Sequence, residues 1–294
     1  MNIDTRVTGQ TKLLGIIGNP VEHSISPILH NTLSSLLGLD LVYVPLKVEK
    51  EDLSIVVRAL KSLDFVGFNV TIPYKKEIMK YIDENSIEAI LMGAVNTVKR
   101  IDGKLYGYNT DAEGFLTSFK EEAQTSFEGK KVILIGAGGV ARPIAVKIAS
   151  EGAEKISIVN RTKEKAIELA ETVNENVKEI VQVYNYEDKT FKMAVEESDI
   201  IINTTSVGMT PDVNSTPISG NYFNGNQIVY DVIYTPAETK LLKDAKKKGC
   251  KTINGLGMLF YQGIKAYEIW TGVKLSEENI EDIYTSFKKI VKNK

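Results

Sequence analysis

The stretch from residue 131 to residue 161 constrains the fold of this 294-residue chain more than any other. An apolar run at 132–135 is followed by a glycine-rich segment at 136–141, a segment with helical spacing and a second apolar run at 156–159. The hydrophobic period changes from that of a strand to that of a helix and back, which predicts one strand–helix–strand unit. Strands connected through a helix lie parallel in one sheet.

Strand and helix signals alternate along both halves of the chain. Apolar runs separated mostly by Lys/Glu-rich segments predict a parallel sheet covered on both faces, with strands at 180–184, 199–203, 227–233 and 251–253. The first half predicts a helix at 27–37 that Gly38 ends, and strands at 13–17, 41–45 and 65–70. A connecting helix is predicted at 112–123, and two final helices at 257–271 and 276–292. Both halves are therefore α/β.

Composition excludes several classes of function. Apolar residues make up 43% of the chain and charged residues 25%, which is typical of a globular protein. The formal charge of −2 provides no positive field for nucleic acid or an anionic membrane, and no apolar run reaches the length of a membrane span. Cys250 cannot form an internal disulfide, and with only His23 and His30 it cannot build a Cys/His metal site. We expect a cytoplasmic protein without a metal.

The glycine-rich segment reads G-x-G-x-x-A directly after a strand. In that context glycines permit a tight turn and let backbone N–H groups approach a pyrophosphate at a helix N-terminus. The predicted cofactor-binding residues here are Gly136, Ala137, Gly138, Gly139, Val140 and Ala141. For the glycine-rich segment, a purely structural turn without a ligand remains the alternative. Pro143 is expected in or just after the first turn of the helix that follows.

The end of the second strand predicts which dinucleotide is bound. An NAD site places an acidic residue about 20 residues after the first glycine, where its carboxylate holds the ribose 2′-hydroxyl. This chain has Asn160 there, followed by Arg161, Thr162, Lys163 and Lys165. Cations in place of a carboxylate favour a 2′-phosphate, so the sequence predicts NADP; a solvated basic turn is the alternative.

Two polar residues in the first part of the chain are candidates for acid–base chemistry. A strand runs into Pro73, which we predict as the first helical residue, so that Lys75 lies in the first turn. The helix dipole would then lower the pKa of that lysine toward the range of a catalytic acid. Asp111 stands at the start of the connecting helix. Taken singly, Lys75 is better interpreted as a surface lysine and Asp111 as a helix N-cap.

Together the motifs resemble those of the shikimate dehydrogenase family, in the same order and over nearly the whole chain. They are GNP at 18–20 and HSISP at 23–27, NVTIPYK at 69–75, GAVNT at 93–97, GYNTDAEG at 107–114, the glycine segment, NRT at 160–162, NTTSVGM at 203–209, DVIYTP at 231–236 and GMLFYQ at 257–262. Pro143, where small or polar residues are more usual, departs from the family pattern.

The resemblance implies a role for each matched position. Lys75 becomes the proton donor, and Asp111 orients it and stabilises its charge. Ser24 and Ser26 are expected to bind the substrate carboxylate, Ser26 also being a plausible N-cap. Further implied substrate contacts are Thr71, Asn96 and Gln262 to ring hydroxyls and Tyr234 near the carboxylate and the nicotinamide. Implied cofactor contacts beyond the glycine segment are Asn160, Arg161, Thr162, Lys165, Thr204, Ser206, Gly255 and Met258. A structural hydrogen bond of Asn96, in an otherwise apolar strand, remains the alternative for that residue.

The resemblance implies an α/β fold of two α/β domains, with the active site between them. The expected substrate domain comprises residues 1–110 with the C-terminal helices, 256–294, packing back on it. Residues 111–255 are expected to form a Rossmann-like NADP-binding domain. The implied reaction is the reversible NADPH-dependent reduction of 3-dehydroshikimate to shikimate in chorismate biosynthesis. The expected partner is this small-molecule substrate, with neither nucleic acid nor membrane, and the chain is expected as a monomer or homodimer. Alternatives are a quinate/shikimate dehydrogenase that uses NAD and a non-catalytic NADP(H) sensor.

Overall fold

The computed structural model describes residues 7–292, which divide into two compact units. Unit 1 contains the described residues up to Thr110 and those from Gly263 onward, and unit 2 is Asp111–Gln262. The sequence placed the start of the C-terminal segment at residue 256, whereas residues 256–262 group here with unit 2. None of the helices in the described range is both long and apolar enough to cross a membrane.

Unit 1 is built on a mixed sheet with the strand order β2-β1-β3-β5-β6-β4. Its strands are β1 (Lys12–Gly18), β2 (Leu41–Lys47), β3 (Gly67–Val70), β4 (Glu84–Asn85), β5 (Thr97–Ile101) and β6 (Lys104–Tyr108). Strands β2, β1 and β3 are parallel, and β5 runs antiparallel to both β3 and β6. The amino end of β5 therefore meets the carboxyl ends of β3 and β6 at one edge of the sheet.

Helices α1 (Ser26–Leu36), α2 (Leu53–Ser62) and α3 (Ile87–Met92) belong to the first segment of unit 1. Helix α2 buries Leu53, Val57 and Leu60, which recur at helical spacing, against the hydrophobic core that includes Phe68 and Val98. The apolar positions thus serve one face of the helix, as their period predicts.

The C-terminal segment packs onto unit 1 through aromatic side chains. Helix α9 (Leu256–Thr271) carries Trp270, whose indole donates a hydrogen bond to Val98 O at 2.8 Å. A Cβ atom at Gly67 would collide with that indole, so the close approach requires glycine. Helix α10 (Glu277–Lys292) completes the unit.

His30 of α1 stacks on Tyr43 of β2 with ring centroids 4.4 Å apart. Burial lowers the pKa of His30 to about 3, which leaves the ring neutral.

Unit 2 contains a parallel sheet with the order β12-β11-β10-β7-β8-β9. Its strands are β7 (Lys131–Ile135), β8 (Lys155–Val159), β9 (Val181–Tyr184), β10 (Ile200–Asn203), β11 (Ile228–Asp231) and β12 (Lys251–Ile253); its helices are α4 (Asp111–Ala123), α5 (Ala141–Ser150), α6 (Lys163–Asn176), α7 (Lys189–Glu196) and α8 (Lys240–Lys247), with the first part of α9. Numbered within the unit, this is the order 3-2-1-4-5-6 of a dinucleotide-binding fold. The order reverses between β7 and β10, where such sheets bind their ligands.

The structure corrects three local predictions. Pro73 is not helical: a 3₁₀ helix begins only at Glu77, so the argument from a helix dipole at Lys75 is wrong. Asn96 lies in the loop before β5 rather than within a strand. Ser26 is the first residue of α1 rather than its N-cap, and the Ser24 hydroxyl accepts its N–H at 3.3 Å. The contact at Ser26 is local, whereas the Lys75 carbonyl and the Asn96 N–H bond to residues of other segments, Val95 and Tyr108.

Candidate functional site

Unit 1 gathers its predicted site residues at one edge of its sheet. Thr71 and Lys75 follow β3, and the Thr71 N–H donates to Ile17 O in β1 at 2.9 Å. The carbonyl of Lys75 accepts the N–H of Val95 at 2.8 Å, which brings the lysine backbone to the segment that carries Asn96. Lys75 and Thr71 are both half-buried. Ser24 and Ser26 lie at the start of α1, which follows β1 at the same edge.

Gly18 at the end of β1 allows Thr71 to lie where it does. A Cβ atom at position 18 would collide with Thr71 Cγ2 and would lie 3.1 Å from Ile72 O. Position 18 of the GNP motif therefore requires glycine, because the ends of β1 and β3 approach each other too closely for a side chain.

Asn96 is the centre of a buried hydrogen-bond network. Its Oδ1 accepts the N–H of Thr110 at 2.8 Å, and its Nδ2 donates to Thr110 Oγ1 at 2.9 Å. Behind it, Asn69 donates to Asn96 O at 3.0 Å and accepts from the Tyr43 hydroxyl at 2.7 Å. Asn96 is 2% exposed and Thr110 1%. The structural interpretation of Asn96 therefore has direct support, and through Thr110 this amide holds the residue that precedes Asp111.

Unit 2 contains two further predicted site residues on neighbouring helices. Asp111 is the first residue of α4 and is 6% exposed. Gln262 in α9 donates its amide to Leu259 O at 2.8 Å. A Cβ atom at Gly114, one turn into α4, would lie 2.5 Å from the backbone nitrogen of Gln262. Glycine in the GYNTDAEG motif thus allows α4 and α9 to pack backbone against backbone.

The glycine segment joins β7 to α5 at the point where the strand order reverses. Gly136 has a φ of 107°, and a Cβ there would lie 2.6 Å from Thr204 Oγ1, so only glycine fits. Apart from the adjacent residues, no protein atom would lie within 4 Å of a Cβ at Gly138 or Gly139, which leaves space in front of this loop. Val140 is the N-cap of α5, which begins at the fully buried Ala141 and holds Pro143 as its third residue.

The end of β8 carries the predicted 2′-phosphate residues. The Asn160 side chain accepts the N–H of Ala137 at 3.2 Å and donates to Thr162 O at 2.7 Å, which ties this turn to the glycine segment. Arg161, Thr162 and Lys165 are all exposed. A cationic turn therefore stands beside an open glycine loop, and these residues fit the phosphates of NADP in charge and in space.

The remaining predicted residues follow the neighbouring strands of unit 2 at the same edge. Thr204 and Ser206 come after β10, Tyr234 after β11, and Gly255 and Met258 after β12. Burial raises the pKa of Tyr234 above its usual value, so it stays a neutral phenol. A Cβ at Gly255 would collide with Val232 O, so this glycine lets the segment after β12 lie against the segment after β11.

Two residues without a predicted role connect these loops. Asn203 and Asp231 end β10 and β11, are paired in register and are 0% exposed. Asn203 donates to Asp231 Oδ1 at 3.0 Å. The signal that could have identified them is a polar residue at the end of each of two apolar strands, IIIN and IVYD. Local periodicity does not reveal that these two strands are neighbours.

Burial raises the pKa of Asp231 from 3.8 to about 6, against the lowering effect of its hydrogen bonds from Thr239, Ile233 and Asn203. Between about pH 4 and pH 6 the folded chain then binds more protons at this site than the unfolded chain. The free energy of unfolding therefore falls as pH rises through this window, by about 3 kcal/mol for this group. The difference in free energy of unfolding between Asp231→Asn and the wild type should therefore shift by about this amount in favour of the variant from pH 4 to pH 7. Urea unfolding of both proteins at both pH values measures this difference. The same difference at pH 4 and pH 7 would contradict the prediction.

Three family models match the chain: the shikimate dehydrogenase substrate-binding domain at residues 16–98, shikimate/quinate 5-dehydrogenase at 119–215, and the shikimate 5′-dehydrogenase C-terminal domain at 255–282. A shikimate dehydrogenase (NADP(+)) from Alkaliphilus oremlandii is 45% identical over 277 residues, which are 94% of this chain and 96% of the relative.

Solved structures agree with these matches. A shikimate 5-dehydrogenase from Listeria monocytogenes, in complex with shikimate and NAD, has a TM-score of 0.89 at 40% identity and covers 96% of this chain and 99% of its own. A shikimate dehydrogenase in complex with NADP⁺ has a TM-score of 0.88 at 43% identity and covers 96% of this chain and 97% of its own. The chain therefore belongs to the shikimate dehydrogenase family.

Proposed function

We propose that this chain is an NADP-dependent shikimate dehydrogenase, which reversibly reduces 3-dehydroshikimate to shikimate in the chorismate route to aromatic amino acids. The observation that carries the proposal is the cationic turn at Arg161 beside the open glycine loop. The single cysteine, a buried free thiol, fits the reducing cytoplasm in which we place the enzyme.

We assign proton transfer to Lys75 and Asp111. NADPH, when bound, supplies a hydride to the carbonyl carbon of the substrate. Lys75 donates a proton to the carbonyl oxygen as negative charge develops there, and Asp111 orients the ammonium group and stabilises its charge. What supports this assignment is the half-buried position of Lys75 at the sheet edge and the nearly buried carboxyl group of Asp111 at the start of α4. These roles do not depend on a helix dipole.

The remaining polar residues are assigned to recognition. Ser24 and Ser26 bind the carboxylate of the substrate, and Thr71, Asn96 and Gln262 hydrogen-bond its ring hydroxyls. Tyr234, as a neutral phenol, adjoins the carboxylate and the nicotinamide. A site that pairs with each hydroxyl discriminates against analogues, because they leave its polar groups without partners.

An absorbance assay at 340 nm tests the reaction with 3-dehydroshikimate and either NADPH or NADH. We expect oxidation of NADPH at a much higher kcat/KM than oxidation of NADH. In the reverse direction, shikimate should reduce NADP⁺ and quinate should be a poor substrate. Comparable rates with quinate and NAD⁺ would instead identify a quinate/shikimate dehydrogenase, and binding of NADPH without turnover would identify a sensor.

Gly18→Ala tests the recognition of substrate in unit 1. The added methyl group displaces Thr71, so we expect the KM for shikimate to rise by about tenfold, the equivalent of one hydrogen bond, with little change in the KM for NADP⁺. Gly9→Ala is the matched control, because no protein atom outside the adjacent residues would lie within 4 Å of a Cβ there. An unchanged KM for shikimate in Gly18→Ala would remove Thr71 from the substrate site.

A further inference from the structure

The carboxylate of Asp231 is the meeting point of three segments of unit 2. Its Oδ1 accepts from Asn203 Nδ2 at 3.0 Å and from the N–H of Ile233 at 3.1 Å. Its Oδ2 accepts from the Thr239 hydroxyl at 2.7 Å. Thr239 is also the N-cap of α8 and is 0% exposed. Both ends of the segment 232–239, which carries Tyr234, are thus held by one carboxyl group.

Asn203 extends the same network to the segment after β10. Its Oδ1 accepts from the N–H and the hydroxyl of Thr205 at 3.0 and 2.7 Å. Its backbone carbonyl accepts the N–H of Val232 at 3.0 Å. The loop with Thr204 and Ser206 and the loop with Tyr234 are therefore held to each other by the pair Asn203–Asp231.

Position in the sheet indicates which part of a dinucleotide these loops would meet. Arg161 follows β8, and the glycine loop follows β7 at the centre of the sheet. If the 2′-phosphate is held at Arg161 and the pyrophosphate at the glycine loop, the rest of the cofactor would extend toward β10 and β11. The nicotinamide end would then meet the two loops that Asp231 holds.

A carboxylate is an unfavourable choice if stability alone is required. The three donors to Asp231 are neutral groups, and burial penalises its charge. An asparagine of the same shape would avoid this penalty, but it can accept at only one of its two terminal atoms, whereas Asp231 accepts at both. Bonds to the ionised group are also stronger, which holds the loops more firmly.

We propose that Asp231 is a positioning residue, which holds the segments 204–206 and 232–239 in the arrangement that receives the nicotinamide end of NADP(H). This inference rests on the proposed function for its cofactor. Because Asp231 is 0% exposed, it would act through the two loops and not by touching substrate or cofactor.

The test compares binding of whole and partial cofactor to Asp231→Asn. Fluorescence titration measures the Kd for NADPH, and calorimetry measures the Kd for adenosine 2′,5′-bisphosphate, which lacks the nicotinamide half. We expect about tenfold weaker binding of NADPH and unchanged binding of the bisphosphate. The melting temperature at pH 7.5 should equal or exceed that of the wild type, and hydrogen exchange should quicken within 204–206 and 232–239.

Gln227→Ala provides the matched control at the opposite end of β11. Gln227 is also 0% exposed and donates to Val195 O at 2.6 Å, so its loss should lower the melting temperature and leave both Kd values unchanged. Equal weakening of both ligands by Asp231→Asn, or no weakening of NADPH, would overturn the inference. If the wild type binds NADPH but does not turn over 3-dehydroshikimate, the proposed function fails, while the two Kd values still decide the role of Asp231.

Discussion

Lys75→Ala is expected to lower kcat for the reduction of 3-dehydroshikimate by roughly 10²-fold or more, the usual scale for a positioned acid. The reduction starts from a neutral carbonyl, so the amine is needed most as the oxygen becomes negative. The KM for substrate should change much less, because a group that acts mainly in the transition state affects kcat and kcat/KM alike.

Lys76→Ala is the matched control, because it removes the same side chain from the next, exposed position. Asp111→Asn should reproduce the loss in kcat while keeping the volume of the side chain. Partial restoration of Lys75→Ala by an added small amine would identify the missing group as a proton donor. A rise in KM alone, with kcat unchanged, would instead make Lys75 a binding residue.

Arg161→Asp is expected to weaken binding of NADP⁺ by about 10²-fold and binding of NAD⁺ by less than about threefold. A charged hydrogen bond to a phosphate contributes about 1.5–3 kcal/mol, and the new carboxylate adds repulsion of the 2′-phosphate. The 2′-hydroxyl of NAD⁺ carries no charge and can accept or donate, so it is much less affected. We expect the same difference between the reduced forms, which carry the same 2′ groups, and fluorescence titration with NADPH and NADH measures it.

Arg58→Asp is the matched control for this change in charge. Arg58 is an exposed residue of α2 in unit 1, so the same reversal of charge occurs away from the predicted cofactor loops. The affinity of the Arg58→Asp variant for either nucleotide should match that of the wild type. Equal losses of affinity for NADPH and NADH in Arg161→Asp would show that the arginine does not recognise the 2′-phosphate.

Much of the fold of unit 2 could be predicted, because its elements have strong local patterns. The run 132–135, the glycine segment and the basic turn at 160–165 define a strand, a loop and a helix start within about 35 residues. Element ends were less predictable. The segment from Pro73 to Lys75 is not helical: the Thr71 N–H just before it bonds to β1, and the Lys75 carbonyl accepts the N–H of Val95.

The site residues that could be predicted from the sequence are those in motifs that directly follow a predicted strand. The networks around Asn96 and Asp231 were not predictable, because each joins residues far apart in sequence through sheet register. A pattern of apolar residues indicates which face of a strand is buried, but not which strand lies beside it.

The amino-acid sequence by itself determined the α/β class, the family and the side chains available for chemistry, since these depend on local period and on motif order. Only the tertiary structure decided that Gly18 makes room for Thr71, that Asn96 holds Thr110, and that Asp231 is a buried carboxylate between two loops. Steric clearance, desolvation and hydrogen-bond geometry depend on neighbours that the folded chain brings together, and those neighbours are distant along the sequence.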